Sequence, residues 1–173
     1  MSSHLKPPVS EKDHAEGTDT ATIKLVEYGD YQCPHCGAAY PIIKKIQREF
    51  GNQVLFVFRN FPLSEIHPFA MQAAVATEAA AVQNKFWEMH DVIFEHQELL
   101  NKAGLHKMAV SIGLDMKKFE AAMQQEYLQA KVEADFESGV RSGVNGTPSF
   151  FINGNKFDGG ASDVYNMLLE NAG

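Results

Sequence analysis

"GDYQCPHCGAAYP", residues 29–41, holds Cys33 and Cys36, the only two cysteines of a 173-residue chain. Two thiols three positions apart can be a redox couple, half of a metal site, or a coincidence. Their flanks decide. Upstream, Ile23, Leu25, Val26 and Tyr28 make a short apolar run of strand type, closed by Gly29-Asp30. Downstream, Ala39, Ile42, Ile43, Ile46 and Phe50 recur at helical spacing, and Gly51-Asn52 stops the helix. Then "VLFVF", residues 54–58, has the density of a strand buried on both faces. The unit reads strand–helix–strand, with parallel strands and a right-handed crossover.

That context gives the thiols a chemistry. Cys33 falls where the helix begins, beside unpaired backbone N–H groups and the positive end of the helix dipole. Both favour a thiolate, so its pKa should fall. Pro34 suits the first helical turn, where a missing N–H is harmless. His35, protonated or as a donor, would stabilise the thiolate further. Cys36, one turn in, can attack a mixed disulfide on Cys33, so thiol–disulfide exchange is expected. Pro41 leaves the Gly37 carbonyl unbonded and should kink the helix. Glu27, on the strand face of Ile23 and Leu25, should be partly buried with a raised pKa, able to take and return a proton. A purely structural carboxylate is the alternative. Thr147-Pro148 opens a later strand, where a proline is tolerated and a cis bond is possible.

Outward from this unit the chain changes character. Residues 63–143 are rich in Ala, Met, Gln and Glu and read as about five helices, the first with Pro68 in its opening turn and one capped by Asp115. Strands return at Ser149–Ile152 and at 155–159, joined by Asn153-Gly154, a strong hairpin signal. A last helix is expected from Ser162, as N-cap, to Glu170. The expected organisation is an N-terminal arm over 1–21, mobile apart from a possible short edge strand, a β-α-β part over 22–62, a helical insertion over 63–143 and a β-β-α part over 144–173. His90 reads as a packed helix residue, and Met71, Met89, Met108, Met116 and Met123 as core or groove lining.

Composition narrows the partners. Net charge is −7, with 45% hydrophobic and 21% charged residues and no Lys/Arg run. That argues against nucleic acid and anionic membranes. No run approaches the ~18 apolar residues of a membrane span. Residues 1–20 lack the apolar core and cleavage site of a signal peptide. The expected compartment is the cytoplasm for the chain as written, or the periplasm for a processed form. A zinc site would need two further ligands, and His67, His90, His96 and His106 show no paired spacing, so neither metal nor cofactor is expected.

Taken together, strand, "CPHC", proline-bearing helix, strand, helical insertion, "GTP" and hairpin resemble the thioredoxin superfamily. The long insertion and the Pro-His dipeptide resemble its DsbA-like branch, the bacterial disulfide oxidoreductases. "FWEMHD" (86–91) and "GVNGTPSFFINGNKFDG" (143–159) are similar to stretches common in that branch. The resemblance runs from about Thr22 to the C-terminus. It implies an α/β thioredoxin fold, a mixed central sheet flanked by helices, with an inserted all-helical subdomain. It implies that Cys33 attacks and Cys36 resolves, that Pro34 and His35 tune them, and that Glu27 is the buried acid behind the site. Pro148 would be the cis-proline that holds an extended substrate strand, with Thr147 before it. The expected activity is dithiol oxidation of thiol-containing proteins or peptides by a monomer, with a redox partner restoring the disulfide. The arm is too short for an isomerase dimerisation domain. A cytosolic reductase, a detoxifying thiol enzyme and a non-catalytic peptide-binding module are the alternatives.

Overall fold

The computed structural model describes residues 3–172. The predicted strand–helix–strand unit is present as β2 (Ile23–Gly29), α1 (Pro34–Phe50) and β3 (Val54–Asn60). Five helices follow: α2 (Ala70–Ala81), α3 (Phe86–Glu95), α4 (Lys102–Ser111), α5 (Met116–Met123) and α6 (Glu126–Arg141). The chain closes with β4 (Ser149–Ile152), β5 (Asn155–Phe157) and α7 (Ala161–Asn171). A further strand, β1 (His14–Glu16), lies on the edge, and the sheet order is β1-β3-β2-β4-β5. β2 and β3 are parallel, while β1 on β3, β4 on β2 and β5 on β4 are antiparallel. The hairpin turns on Asn153 and Gly154, both at positive φ, as an Asn-Gly turn requires.

The period of two sorts the sheet into faces. Leu25, Phe56, Phe58 and Phe150 point to the larger core, where α1 buries Ala39, Ile43, Ile46 and Phe50. Val26, Tyr28, Val57 and Phe151 point to a second core that includes Leu5, Phe61 and Val144. Glu27 shares parity with Leu25. It sits opposite Phe58 on one side and Phe150 on the other, on the face that α1 covers.

Three local expectations are corrected. Residues 3–21 are not a mobile arm. Leu5 is buried and its N–H donates to Gly154 O, Lys156 N–H donates to Ser3 O, and β1 pairs with β3. Arg59 draws the segment in with hydrogen bonds to Asp13 and to the Pro7 carbonyl. These partners are distant in sequence, so no local pattern announces them. Met1 and Ser2 of that arm lie outside the described residues, as does Gly173. The first helix of the insertion begins at Ala70, two residues after Pro68. The last begins at Ala161: Asp163 accepts the Gly160 N–H at 2.9 Å, and Ser162 does not cap.

α2 is buried nearly all round by alanines, which lets its neighbours pack close. Its one buried charge, Glu78, anchors the helices to the sheet. The Glu78 carboxylate meets His14 Nε2 at 2.8 Å and Lys131 Nζ at 3.4 Å, and Lys131 also meets Asp135 at 2.8 Å. Asp135 in turn accepts the Asn60 N–H at 3.0 Å. One network thus joins β1, α2, α6 and β3. Replacing the buried Glu78 by Ala removes an acceptor shared by the half-buried His14 and Lys131 and should cost about 2 kcal/mol in urea unfolding. Glu170→Ala, on an exposed position, should change little; equal effects would show that the network carries no stability.

Candidate active site

The turn before α1 is built around one buried carboxylate. Asp30 Oδ1 accepts the Gln32 N–H at 2.7 Å and the Cys33 N–H at 3.1 Å. Asp30 Oδ2 accepts the Leu63 N–H at 2.9 Å and pairs with His67 Nδ1 at 2.8 Å. From the other side Gln97, in the 3₁₀ turn after α3, donates Nε2–H to Tyr31 O at 2.8 Å and Cys33 O at 3.0 Å. Cys33 O also accepts Gly37 N–H, the first bond of α1. A Cβ on Gly37 would collide with the Gln97 side-chain amide, so glycine is what lets the insertion reach this turn.

Cys33 is the N-cap of α1 and Pro34 follows it at the first helical position, as read from sequence. Both thiols are free; Cys33 is 4% exposed and Cys36 fully buried. The Cys33 S–H points to Thr147 O at 3.7 Å, and Asp30 N–H donates to Cys36 Sγ at 3.4 Å. The two sulfurs divide their acidity. A hydrogen bond from the Cys36 thiol lowers the Cys33 pKa to about 5, against the opposing pull of burial, with help from Thr147 and from the Cys36 and His35 backbone N–H groups. The same hydrogen bond, then burial, push Cys36 far above the ordinary thiol range.

Glu27 lies behind this pair. Burial first, then the charge on Cys33, raise its pKa to about 8, so it is protonated at neutral pH. Thr147 and Pro148, joined by a cis peptide, face the thiols across the cleft. With His35 they line a shallow depression of about 470 Å³ whose far wall is the start of α7. The structure therefore brings all seven sequence-predicted residues to one place. The His35 ring is exposed, and its backbone N–H is directed at Cys33. Among the described residues, the buried Thr147 hydroxyl has no hydrogen-bond partner, which leaves it as a donor for the Cys33 thiolate.

Sequence reading missed Asp30, His67, Gln97 and Gly37. Asp30 had a usable signal, an Asp whose side chain can cap N–H groups two and three residues on. Gln97 and His67 had none, because their partners are 64 and 37 residues away.

A thiol pair at the start of a helix, faced by Thr147-Pro148 and backed by a neutral acid, defines a thioredoxin-fold dithiol protein. The chain belongs to the thioredoxin family: the family's sequence model, described as "Thioredoxin", matches residues 9–171. Among solved structures it is similar to BdbD from Bacillus subtilis, with TM-score 0.82 and 24% identity over 98% of this chain and 96% of that one. It is also similar to the thiol-disulfide exchange protein alpha-DsbA2 from Wolbachia pipientis, with TM-score 0.80 and 18% identity over 93% and 88% of the two chains. These neighbours share the DsbA-like form of the fold. A curated relative, the Na(+)/H(+) antiporter NhaA 3 of Salinispora tropica, is 37% identical over 155 residues. Those residues are 90% of this chain and 24% of the relative, so the chain spans about a quarter of the curated relatives it matches. Among the described residues no helix is long and apolar enough to cross a membrane.

Two predictions follow from the geometry. Between about pH 5 and 8 the folded dithiol form carries its charge on Cys33 and its proton on Glu27, while the unfolded chain carries the reverse. The pair then binds equal numbers of protons in both states and gives no pH slope. Glu27→Gln leaves only the lowered Cys33, so stability should gain a rising slope with pH from about 5. Cys33→Ser leaves a Glu27 still raised by burial but no longer by the Cys33 charge, so stability should gain a falling slope that ends below about pH 8. Each slope is at most about 1.4 kcal/mol per pH unit relative to wild type. Urea unfolding under reducing conditions reads it, and slopes of the same sign in both variants would contradict it.

The second concerns Gly37. Alanine in a helix interior normally gains about 1 kcal/mol over glycine. Here Gly37→Ala should instead lose 1 kcal/mol or more, roughly the scale of overpacking, and raise the Cys33 pKa. Because it displaces Gln97, adding Gln97→Ala should do little more. Fully additive effects in the double variant would show that the two do not act through one contact.

Proposed function

We propose that the chain is a thiol–disulfide oxidoreductase of the DsbA type that works as a dithiol oxidase. The observation that supports this reading is the split between the thiols, one held as thiolate and the other as thiol. A stabilised Cys33 thiolate favours the dithiol form, and so makes the Cys33–Cys36 disulfide a strong oxidant.

The steps follow from the geometry. A substrate thiolate attacks Cys33 Sγ, the sulfur nearer the surface. The Cys33–Cys36 bond breaks, and Cys36 leaves as a thiolate that takes up a proton. Glu27, protonated at neutral pH and electrostatically coupled to both thiols, supplies that proton. A second substrate thiol loses its proton to solvent, from which Glu27 is reprotonated, and attacks the substrate sulfur of the mixed disulfide. Cys33 departs as a thiolate, an easy leaving group because of its low pKa. The substrate loses two electrons and gains a disulfide, and the protein gains the two electrons. A redox partner then takes them back.

Thr147 and Pro148 hold the substrate segment beside Cys33. The Pro34-His35 dipeptide tunes the thiolate through the first turn of α1. The antiporters are proteins of which this chain spans about a quarter, so the reading for this chain concerns only the redox unit.

The reduction potential of the pair tests the direction. Equilibration with glutathione should place it between about −180 and −120 mV, the range of strongly oxidising exchange proteins. A value near about −270 mV would make the chain a reductase. Cys33→Ser should abolish exchange; retained function would favour the non-catalytic peptide-binding reading.

A further inference from the structure

Beside the redox turn a second groove, of about 520 Å³ and sharing no lining residue with the depression at Pro148, runs between residues 62–66 and α6. Pro62, Leu63, Met71 and Phe136 make it apolar. Phe136 is fixed there by stacking on the buried Phe61, with ring centroids 4.3 Å apart. Ile66 stands on the groove's edge and is 68% exposed, the highest value among the exposed large hydrophobics. An isoleucine this exposed, next to a preformed apolar trough, leaves apolar area that a partner can cover.

The charges around it have one sign. Glu65, Glu133 and Glu137 complete the lining, and no Lys or Arg is among the lining residues. All three are exposed. Among the described residues the ion pairs engage other carboxylates, and the only hydrogen bond to these three carboxylates is from Gln129 to Glu133. The groove is also wired to the reacting sulfur. Leu63 N–H and Cys33 N–H bind the two oxygens of the same Asp30 carboxylate. One carboxylate thus joins the groove's Leu63 to the turn that carries Cys33.

We propose that this groove is a specificity subsite that takes an apolar side chain flanked by Lys or Arg from the thiol-bearing substrate segment. The proposal rests on the oxidoreductase reading and deepens it by naming the substrate class. The trough buries the apolar side chain, and the three carboxylates attract the cationic neighbours and repel acidic ones.

The test uses the disulfide form of the full chain and two dithiol peptides that differ only beside one cysteine, Leu-Arg-Arg in one and Leu-Glu-Glu in the other. Dithiothreitol serves as a substrate too small to use the groove. At low salt the cationic peptide should be oxidised about tenfold faster, the lower end of electrostatic steering. The double variant Glu133→Lys/Glu137→Lys should erase or invert that ratio. The control Glu88→Lys/Glu170→Lys makes the same change in net charge away from the groove and should preserve it. Ile66→Ser should slow a Leu-containing peptide several-fold and leave a Ser-containing one unchanged. Dithiothreitol should be oxidised equally by all of them. If groove and control variants shift the peptide ratio alike while dithiothreitol is still oxidised, only net charge matters and the groove proposal falls alone. If the wild type oxidises neither peptide nor dithiothreitol, the oxidoreductase reading falls and takes the groove with it.

Discussion

The Cys33 sulfur holds a negative charge in a nearly closed site, and the surrounding chain is arranged to make that possible. The Cys36 thiol, the first N–H groups of α1 and Thr147 all face it as donors. Such donors are strongest where water is scarce, because a low local dielectric magnifies them. Glu27 completes the arrangement by not being charged. A carboxylate on the same sheet face would oppose the thiolate, and burial between Phe58 and Phe150 keeps it protonated. Charge on sulfur and proton on carboxyl form one unit, stable at neutral pH and poised to exchange that proton when the disulfide opens.

Holding the donors in place falls to side chains outside the cysteine motif. Asp30 pins the turn from within and fastens it to the loop after β3. Gln97 pins it from the helical insertion. The insertion itself is fastened to the sheet by the Glu78 network rather than only by apolar contact. The helices thus do two jobs for the site: one residue steadies the redox turn, and α6 forms a wall of the neighbouring acidic groove. Cutting either tie would leave the cysteines in the sequence but loosen their setting.

Much of this was legible in the residues alone. The β2–α1–β3 unit showed in its periods of two and 3.6, the hairpin in Asn153-Gly154, and the thiol chemistry in the place of Cys33 at a strand-to-helix junction. Asp115 capped α5 as its residue type suggests. What escaped the sequence was non-local. Residues 3–21 looked polar and loose, yet Leu5, Asp13 and His14 find partners 46 to 149 residues away: Gly154, Arg59 and Glu78. The last helix took its cap from Asp163 rather than Ser162, a choice between two polar residues that only backbone geometry makes. The exposure of the His35 ring, with its backbone N–H turned to Cys33, was likewise beyond the sequence. Gln97 carried no pattern at all, because its role depends on a glycine 60 residues earlier.

Everything at the site turns on Cys33 being the acidic thiol of the pair and Cys36 the reluctant one. Titrating the thiolate ultraviolet absorbance of the reduced protein, with Cys36→Ser as a comparison, measures it directly. One thiol should ionise near pH 5 in the wild type, and at higher pH once the Cys36 donor is weakened. A single transition near the ordinary cysteine value of about 8.5 would contradict it.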